Sequence, residues 1–189
     1  VCMANKYYDV LRAPHQVAFD ITNNCNLRCL HCFNSSGEND VISNELSDGE
    51  VLHFMEDLAS MNLYNVCFCG GETLLRKELM CECIKILKPS GSHCTAVTNG
   101  LLANPATIQQ LASAGLDGIQ FSLDGLRDSH ERLRNKVGIF PKVIDAMKYV
   151  LNETELRLSI AFTPTSFNVK DFLGVYDLLV DLYKKSNRT

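Results

Sequence analysis

The chain has no Lys/Arg run beyond pairs such as Lys184-Lys185, no apolar stretch near the about 18–20 residues of a membrane span, and no apolar h-region at its start. The first absence, with a net charge of −4, argues against an electrostatic footprint for nucleic acid. The second leaves no candidate for a membrane-spanning helix, and the third, at Val1-Cys2-Met3-Ala4-Asn5-Lys6, argues against an export signal. Internal repeats, low-complexity tracts and linkers are also missing. What remains is 189 residues and 21.1 kDa, 46% apolar and 21% charged, which suits one soluble globular domain and excludes a disordered or collagen-like chain. The chain opens on Val rather than Met, which fits a piece of something longer.

Cysteine, by contrast, is abundant. Nine are present, at 2, 25, 29, 32, 67, 69, 81, 83 and 94, an odd count in a chain with no export signal. That favours reduced thiols, some of them metal ligands, in a reducing cytosol over a secreted disulfide framework. Cys67 and Cys69 share one face of an expected strand, where small buried hydrophobes are the ordinary reading. Cys81 and Cys83 lie two apart on an expected helix, too far around it to share a metal easily, and Cys94 reads as core.

Five β-rich runs alternate with helix-like segments. The strands are expected at Val17–Thr22, Val66–Cys69, His93–Thr98, Gly118–Leu123 and Arg157–Thr163. Ser47-Asp48-Gly49-Glu50 reads as a capping box for a helix with Val51, Phe54, Met55 and Leu58 inward. A second helix is expected from Arg76 to Leu87, and a third from the Asn104-Pro105 cap to Gly115. A fourth runs from near Pro141 to about Leu151, and a fifth follows Asn168 with Phe172, Leu173, Tyr176, Leu179, Val180 and Tyr183 at helical spacing. Repeated βα units imply an α/β fold with a parallel sheet. Five units do not close a barrel, for which eight units and about 250 residues are typical. The expectation is a partial TIM barrel, truncated after about five units, with a lead-in at 1–16 and the core at 17–189.

Directly after the first strand comes Cys25-Asn26-Leu27-Arg28-Cys29-Leu30-His31-Cys32. Three thiolates this close on a loop can surround one metal centre or one cubane cluster. A [4Fe–4S] cluster normally takes four protein thiolates, so three leave one iron open to a small molecule. A tetrahedral zinc site would want a fourth ligand, which His31, beside Cys32, is badly placed to give; another Cys could serve, so structural zinc stays an alternative. Gly70-Gly71-Glu72, Thr98-Asn99-Gly100 and Ser122-Leu123-Asp124-Gly125 also follow strands, and so share the rim where α/β ligand sites gather. The glycines let backbone approach a ligand, Glu72 offers a carboxylate to a cation, Asn99, Ser122 and Asp124 can bond hydroxyls, and Arg134 can pair with a carboxylate. Together they suggest a zwitterionic, sugar-bearing ligand beside an iron–sulfur cluster.

On CNLRCLHC, CGGETLLR, VTNGLL, FSLDG with HERLR after it, and TPTSFN, the chain resembles radical S-adenosylmethionine (SAM) enzymes. More narrowly it resembles the peptide and protein maturases that often carry a C-terminal SPASM or twitch extension, which has no counterpart here. The resemblance implies that Cys25, Cys29 and Cys32 hold the [4Fe–4S] cluster and that Gly70, Gly71 and Glu72 hold the SAM amino group. It sets Ser122 and Asp124 toward the ribose and methionine portion, Arg134 toward the carboxylate, Asn99 near the site, His31 near adenine, and Ile160 to Thr163 at the adenine pocket. Thr73 stands where the family usually has Pro, and Asn135 where Gly is common. The implied reaction takes an electron from a donor such as flavodoxin or ferredoxin. It cleaves SAM to methionine and a 5′-deoxyadenosyl radical that abstracts hydrogen from a peptide or protein; no catalytic residue is assigned beyond the cluster. Alternatives are a small cofactor precursor as substrate, or a non-catalytic cluster- or SAM-binding fragment completed by a partner chain. His15, His53, His93 and His130 read as structural or surface residues.

Overall fold

The computed structural model describes residues 14–37 and 45–188. Cys2, Tyr7-Tyr8 and most of the expected lead-in lie outside the described residues. Five parallel strands form one sheet in the order of the chain: β1 (Gln16–Asp20), β2 (Asn65–Cys69), β3 (His93–Thr98), β4 (Gly118–Ser122) and β5 (Arg157–Ala161). The sheet is open at β1 and β5, a partial barrel. Every strand falls within two residues of its expected bounds.

The helices are α1 (Asp48–Ser60), α2 (Lys77–Leu87), α3 (Pro105–Ala114), α4 (Arg127–Leu133), α5 (Ile139–Glu153) and α6 (Phe172–Lys184). The local chemistry that starts and stops them is present. Ser47 and Glu50 form a reciprocal capping box on α1, Asn104 Oδ1 accepts the Thr107 amide at the start of α3, and Gly115 ends that helix at φ +100°. α5 begins at Ile139, two residues before the expected Pro141, because Gly138 supplies the left-handed turn into it.

The core lies on one face of the sheet only. On β2, Val66 and Phe68 are fully buried while Asn65, Cys67 and Cys69 are half-exposed; on β3, Cys94, Ala96 and Thr98 alternate with His93, Thr95 and Val97 in the same way. The covered face packs on Met55, Met80, Ile84, Ile108, Leu111, Val143 and Met147 of the helices, all fully buried. Each such side chain contributes roughly 1.5–3 kcal/mol. Cys94 belongs to this core, as expected, and Cys81 and Cys83 lie in it as well. Cys67 and Cys69 do not: their face is the open one, so the reading of both as buried hydrophobes is corrected. The apolar residues at helical spacing on α6 do not form a buried face. Phe172, Leu173, Tyr176 and Tyr183 are at least half exposed, and Val175 is the helix's buried residue. Among the described residues no helix is long and apolar enough to cross a membrane.

Candidate functional site

The C-terminal ends of the strands bring the cysteine loop and three further loops to one rim. Leu27 is buried and anchors the cysteine loop in the core. Arg28 Nη1 donates to the carbonyls of Cys25 (2.9 Å) and Leu27 (2.8 Å), and the Cys32 amide donates to Cys29 O, so the three cysteines are carried on a folded turn. Gly71 N donates to Thr22 O and Glu72 N to Asn24 O, both at 2.8 Å. A Cβ on Gly70 would sit 2.2 Å from Thr22 O, and one on Gly71 2.3 Å from Asn24 O. The close approach these glycines permit is therefore to the backbone of the cysteine loop.

Glu72 ties the second and third loops together. It is 1% exposed, and its carboxylate accepts from Thr98 Oγ1 (2.7 Å), the Asn99 amide (2.9 Å) and the Leu74 amide (3.1 Å). Burial pushes its carboxyl up from the usual range while these three donors oppose the rise. Thr73, at the position where the family usually has proline, uses its hydroxyl to donate to Val97 O at 2.7 Å, so that position is fixed by a bond that proline lacks the oxygen to make. Asn99 Nδ2 reaches Asn26 Oδ1 in the cysteine loop at 2.8 Å.

On the opposite side Asp124 is fully buried and organises a second cluster. Its Oδ1 accepts the Thr163 amide at 2.9 Å, while its Oδ2 lies 2.5 Å from Arg134 Nη2 and 3.4 Å from His31 Nε2. Burial alone would raise its carboxyl; the His31 hydrogen bond, the Arg134 charge and the Thr163 amide outweigh it and hold the group at about 2. Arg134 Nη1 also reaches Cys29 Sγ at 3.7 Å. Asn135 adopts φ +52°, the left-handed conformation that glycine takes without strain and Asn tolerates, which accounts for the residue type there.

Cys25, Cys29, Cys32, His31, Gly70, Gly71, Asn99, Ser122 and Arg134 all line a single cavity of about 350 Å³. Glu72 and Asp124 stand behind that lining. Sequence reasoning missed Cys69 and the exposed Phe33 in the wall. It missed α4 too, and with it the placing of His130, which is fully buried and accepts the Asp124 amide at 3.1 Å. The spacing of Asp124, His130 and Arg134 was the available signal.

The donor set suits a polynuclear cluster. Among the described residues no three His, Cys, Asp or Glu side chains converge closely enough to surround one ion. A cubane spreads its thiolates over separate irons and asks for wider spacing. Burial raises the Cys25 and Cys29 thiols, with the Arg134 guanidinium working against it at Cys29, so iron must displace protons on binding. Arg134 Nε, His31 Nδ1 and Asn26 Nδ2 are buried without a partner, which leaves two N–H donors and a ring nitrogen for a polar ligand in the same place.

Residues 19–179 match the family model of the radical SAM superfamily. The chain belongs to that superfamily. Its enzymes bind a [4Fe–4S] cluster and SAM. The chain is 31% identical over 163 residues to the Fe-coproporphyrin III synthase of Methanosarcina barkeri, a match covering 86% of this chain and 40% of that protein. It is 27% identical to the sporulation killing factor maturation protein SkfB of Bacillus subtilis, covering 87% and 39%. The radical SAM fold is shared with Streptococcus suis SuiB bound to S-adenosylmethionine, at a TM-score of 0.73 and 19% identity over 89% of this chain and 38% of SuiB. The chain thus spans about two fifths of the length of these relatives.

Proposed function

We propose that the protein is a radical SAM enzyme acting on a peptide or protein, with its cluster on Cys25, Cys29 and Cys32. SAM would lie along Gly70, Gly71, Asn99, Ser122, Arg134 and His31, over the supports Glu72 and Asp124. The carrying observation is that three cysteines of one loop share a cavity with the loops after β2, β3 and β4. When bound, cluster and SAM together supply hydrogen-atom abstraction, driven by an electron from a donor such as flavodoxin or ferredoxin.

The chain's own residues bind, orient and hold. Arg28 and Leu27 fix the shape of the cysteine loop, and Gly70 and Gly71 bring the next loop against it. Glu72 keeps the Asn99 amide and side chain in position, and Asp124 fixes the guanidinium of Arg134. The open sheet face offers Asn65, His93, Thr95, Gln120 and Arg157, whose amides, hydroxyl and guanidinium suit hydrogen bonding to a polypeptide backbone. A reducing cytosol suits the thiols. The maturation protein SkfB supports a peptide substrate. The second reading, a small cofactor precursor, is favoured by the 31% identity to Fe-coproporphyrin III synthase.

The test is anaerobic reconstitution with iron and sulfide, reduction, and EPR with and without SAM. A cubane signal whose g-values move on adding SAM supports the reading. A cluster indifferent to SAM favours a silent binding fragment, and tightly bound zinc with no cluster overturns the assignment. Release of 5′-deoxyadenosine that rises with added peptide, and not with an iron-tetrapyrrole precursor of coproporphyrin, separates the two substrate classes.

A further inference from the structure

The chain leaving β5 is pinned by a side chain outside the site described above. Leu123 N donates to Ala161 O at 2.9 Å, so β4 and β5 stay paired to their ends. Pro164 has no N–H and cannot carry that ladder further. Asn168 takes over. It is fully buried, and its amide makes four bonds. Nδ2 donates to Asp124 O (2.7 Å) and Thr163 O (2.9 Å), while Oδ1 accepts the Thr165 amide (2.6 Å) and Thr165 Oγ1 (2.9 Å). These partners settle which end of the amide is nitrogen, since two of them are carbonyls and a third is an N–H. Thr163 is held a second time, because its own amide donates to Asp124 Oδ1 at 2.9 Å. Both backbone groups of Thr163 are thus committed, and the residue lines the cavity of Cys25, Cys29 and Cys32. Two outer ties run alongside: Asp171 Oδ2 accepts Leu126 N at 3.1 Å, and Arg132 stands 4.5 Å from the centre of the Phe167 ring.

We propose that Asn168 is a positioning residue for the nucleoside end of SAM, acting through Thr163. The inference rests on the reading of the cavity as a cluster and SAM site. Thr163 stands at the β5 end of that cavity, across the whole strand order from β1, which feeds the cysteine loop. A ligand anchored on the cluster by its amino-acid end meets Thr163 with its other end. Asn168 sets how far the loop after β5 stands from the loop after β4, and so sets the width of the cavity there. Asp at this position keeps acceptors for Thr165. It has no N–H for Asp124 O and Thr163 O, and it faces both carbonyls with a negative charge. The cysteine loop, Gly70, Gly71 and Glu72 make no hydrogen bond to Asn168, so the cluster end of the cavity keeps its shape. Thr165 acts at one remove: its hydroxyl donates to Asn168 Oδ1 and accepts the Phe167 amide at 3.2 Å, which orients the side-chain amide.

Asn168→Asp is compared with the unsubstituted protein in two ways. Before iron is added, amide hydrogen exchange is expected to quicken about tenfold at Thr163 and Thr165 and to stay unchanged in β1 to β3. After anaerobic reconstitution, equilibrium dialysis is run with SAM, methionine and 5′-deoxyadenosine in turn. The dissociation constants of SAM and 5′-deoxyadenosine are expected to rise about tenfold, that of methionine to stay within about twofold, and bound iron to be equal. Thr165→Val is expected to move the same constants in the same direction by less, and it answers the question if the first variant does not fold. A merely structural tie predicts equal weakening of all three ligands. That result, unchanged exchange at Thr163, or unchanged SAM affinity overturns the positioning role while the unsubstituted protein still binds SAM. Failure of the unsubstituted protein to bind SAM refutes the functional reading itself, and this role with it.

Discussion

Arg134 grips Cys29 and Asp124 at once: Nη1 lies 3.7 Å from Cys29 Sγ while Nη2 pairs with Asp124 Oδ2 at 2.5 Å. The first contact spans 105 residues of chain, and the second fixes the guanidinium from behind on a fully buried carboxylate. An N–H donor on a cluster thiolate stabilises the more negative, reduced state. Arg134→Leu is expected to lower the cluster midpoint potential by tens of millivolts with iron retained, and Arg134→Lys to recover part of it, since Lys keeps the charge and loses the fork. EPR-monitored redox titration reads the shift; equal potentials in all three proteins would separate Arg134 from Cys29.

Glu72 is expected to matter for stability before it matters for chemistry. Glu72→Ala leaves Thr98 Oγ1 and the amides of Asn99 and Leu74 buried without acceptors. Leaving a buried donor unpaired costs about 1–3 kcal/mol, so the loss should be roughly 3 kcal/mol or more. Glu72→Gln keeps one oxygen and should lose less. Urea unfolding midpoints at constant m-value measure both.

Gly71→Ala drives a methyl into Asn24 O, which is backbone and cannot swing aside. The cysteine loop must shift, and iron bound after reconstitution should fall several-fold. Gly49→Ala is the matched control. Nothing lies within 4 Å of its added Cβ, and in α1 it should stabilise by up to about 1 kcal/mol without changing iron content.

Cys29→Ala is expected to abolish a stable cluster, whereas Cys81→Ala, inside the core on α2, should leave iron unchanged. Equal loss in both would sink the ligand assignment.

His130 supplies a pH dependence. Burial, and next the Arg134 charge, lower its pKa from 6.5 to about 4. Between those values the unfolded chain binds the extra proton, so stability is full above about pH 6.5 and declines as the pH falls toward about 4. A shift of this size is worth on the order of 3 kcal/mol. Urea unfolding across that range should show the decline, and His130→Asn, which keeps an acceptor and does not titrate, should flatten it. A parallel slope in the variant would assign the effect to other groups.

The sheet and its rim were legible because a parallel βα repeat delivers every post-strand loop to the same end. Cys25 to Cys32, Gly70 to Glu72, Asn99, and Ser122 to Asp124 needed only their order along the chain. α4 was not legible: its seven residues, RDSHERL, are mostly charged and carry no apolar stripe. What holds it is tertiary, through Leu133 O accepting the Leu30 amide and through His130 and Arg134 on Asp124. Cys67 and Cys69 show a second limit. Alternation tells which residues of a strand share a face and is silent on which face the helices cover. The same holds for α6, where the periodicity of Phe172, Leu173 and Tyr176 marks a stripe that the rest of the described chain does not cover.

Strand order that repeats chain order has a consequence during translation. Each strand leaves the ribosome next to the neighbour it will pair with, so the sheet can be laid down progressively, one βα unit at a time. The cysteine loop, however, emerges near the beginning and is completed from far downstream, by Asn99 reaching back 73 residues to Asn26 and Arg134 reaching back 105 to Cys29. Its three thiols are therefore made well before the residues that enclose them. Any factor that delivers iron and sulfide meets a finished receptor only after synthesis has passed α4, and until then a nascent chain stalled short of that point carries those thiols unguarded.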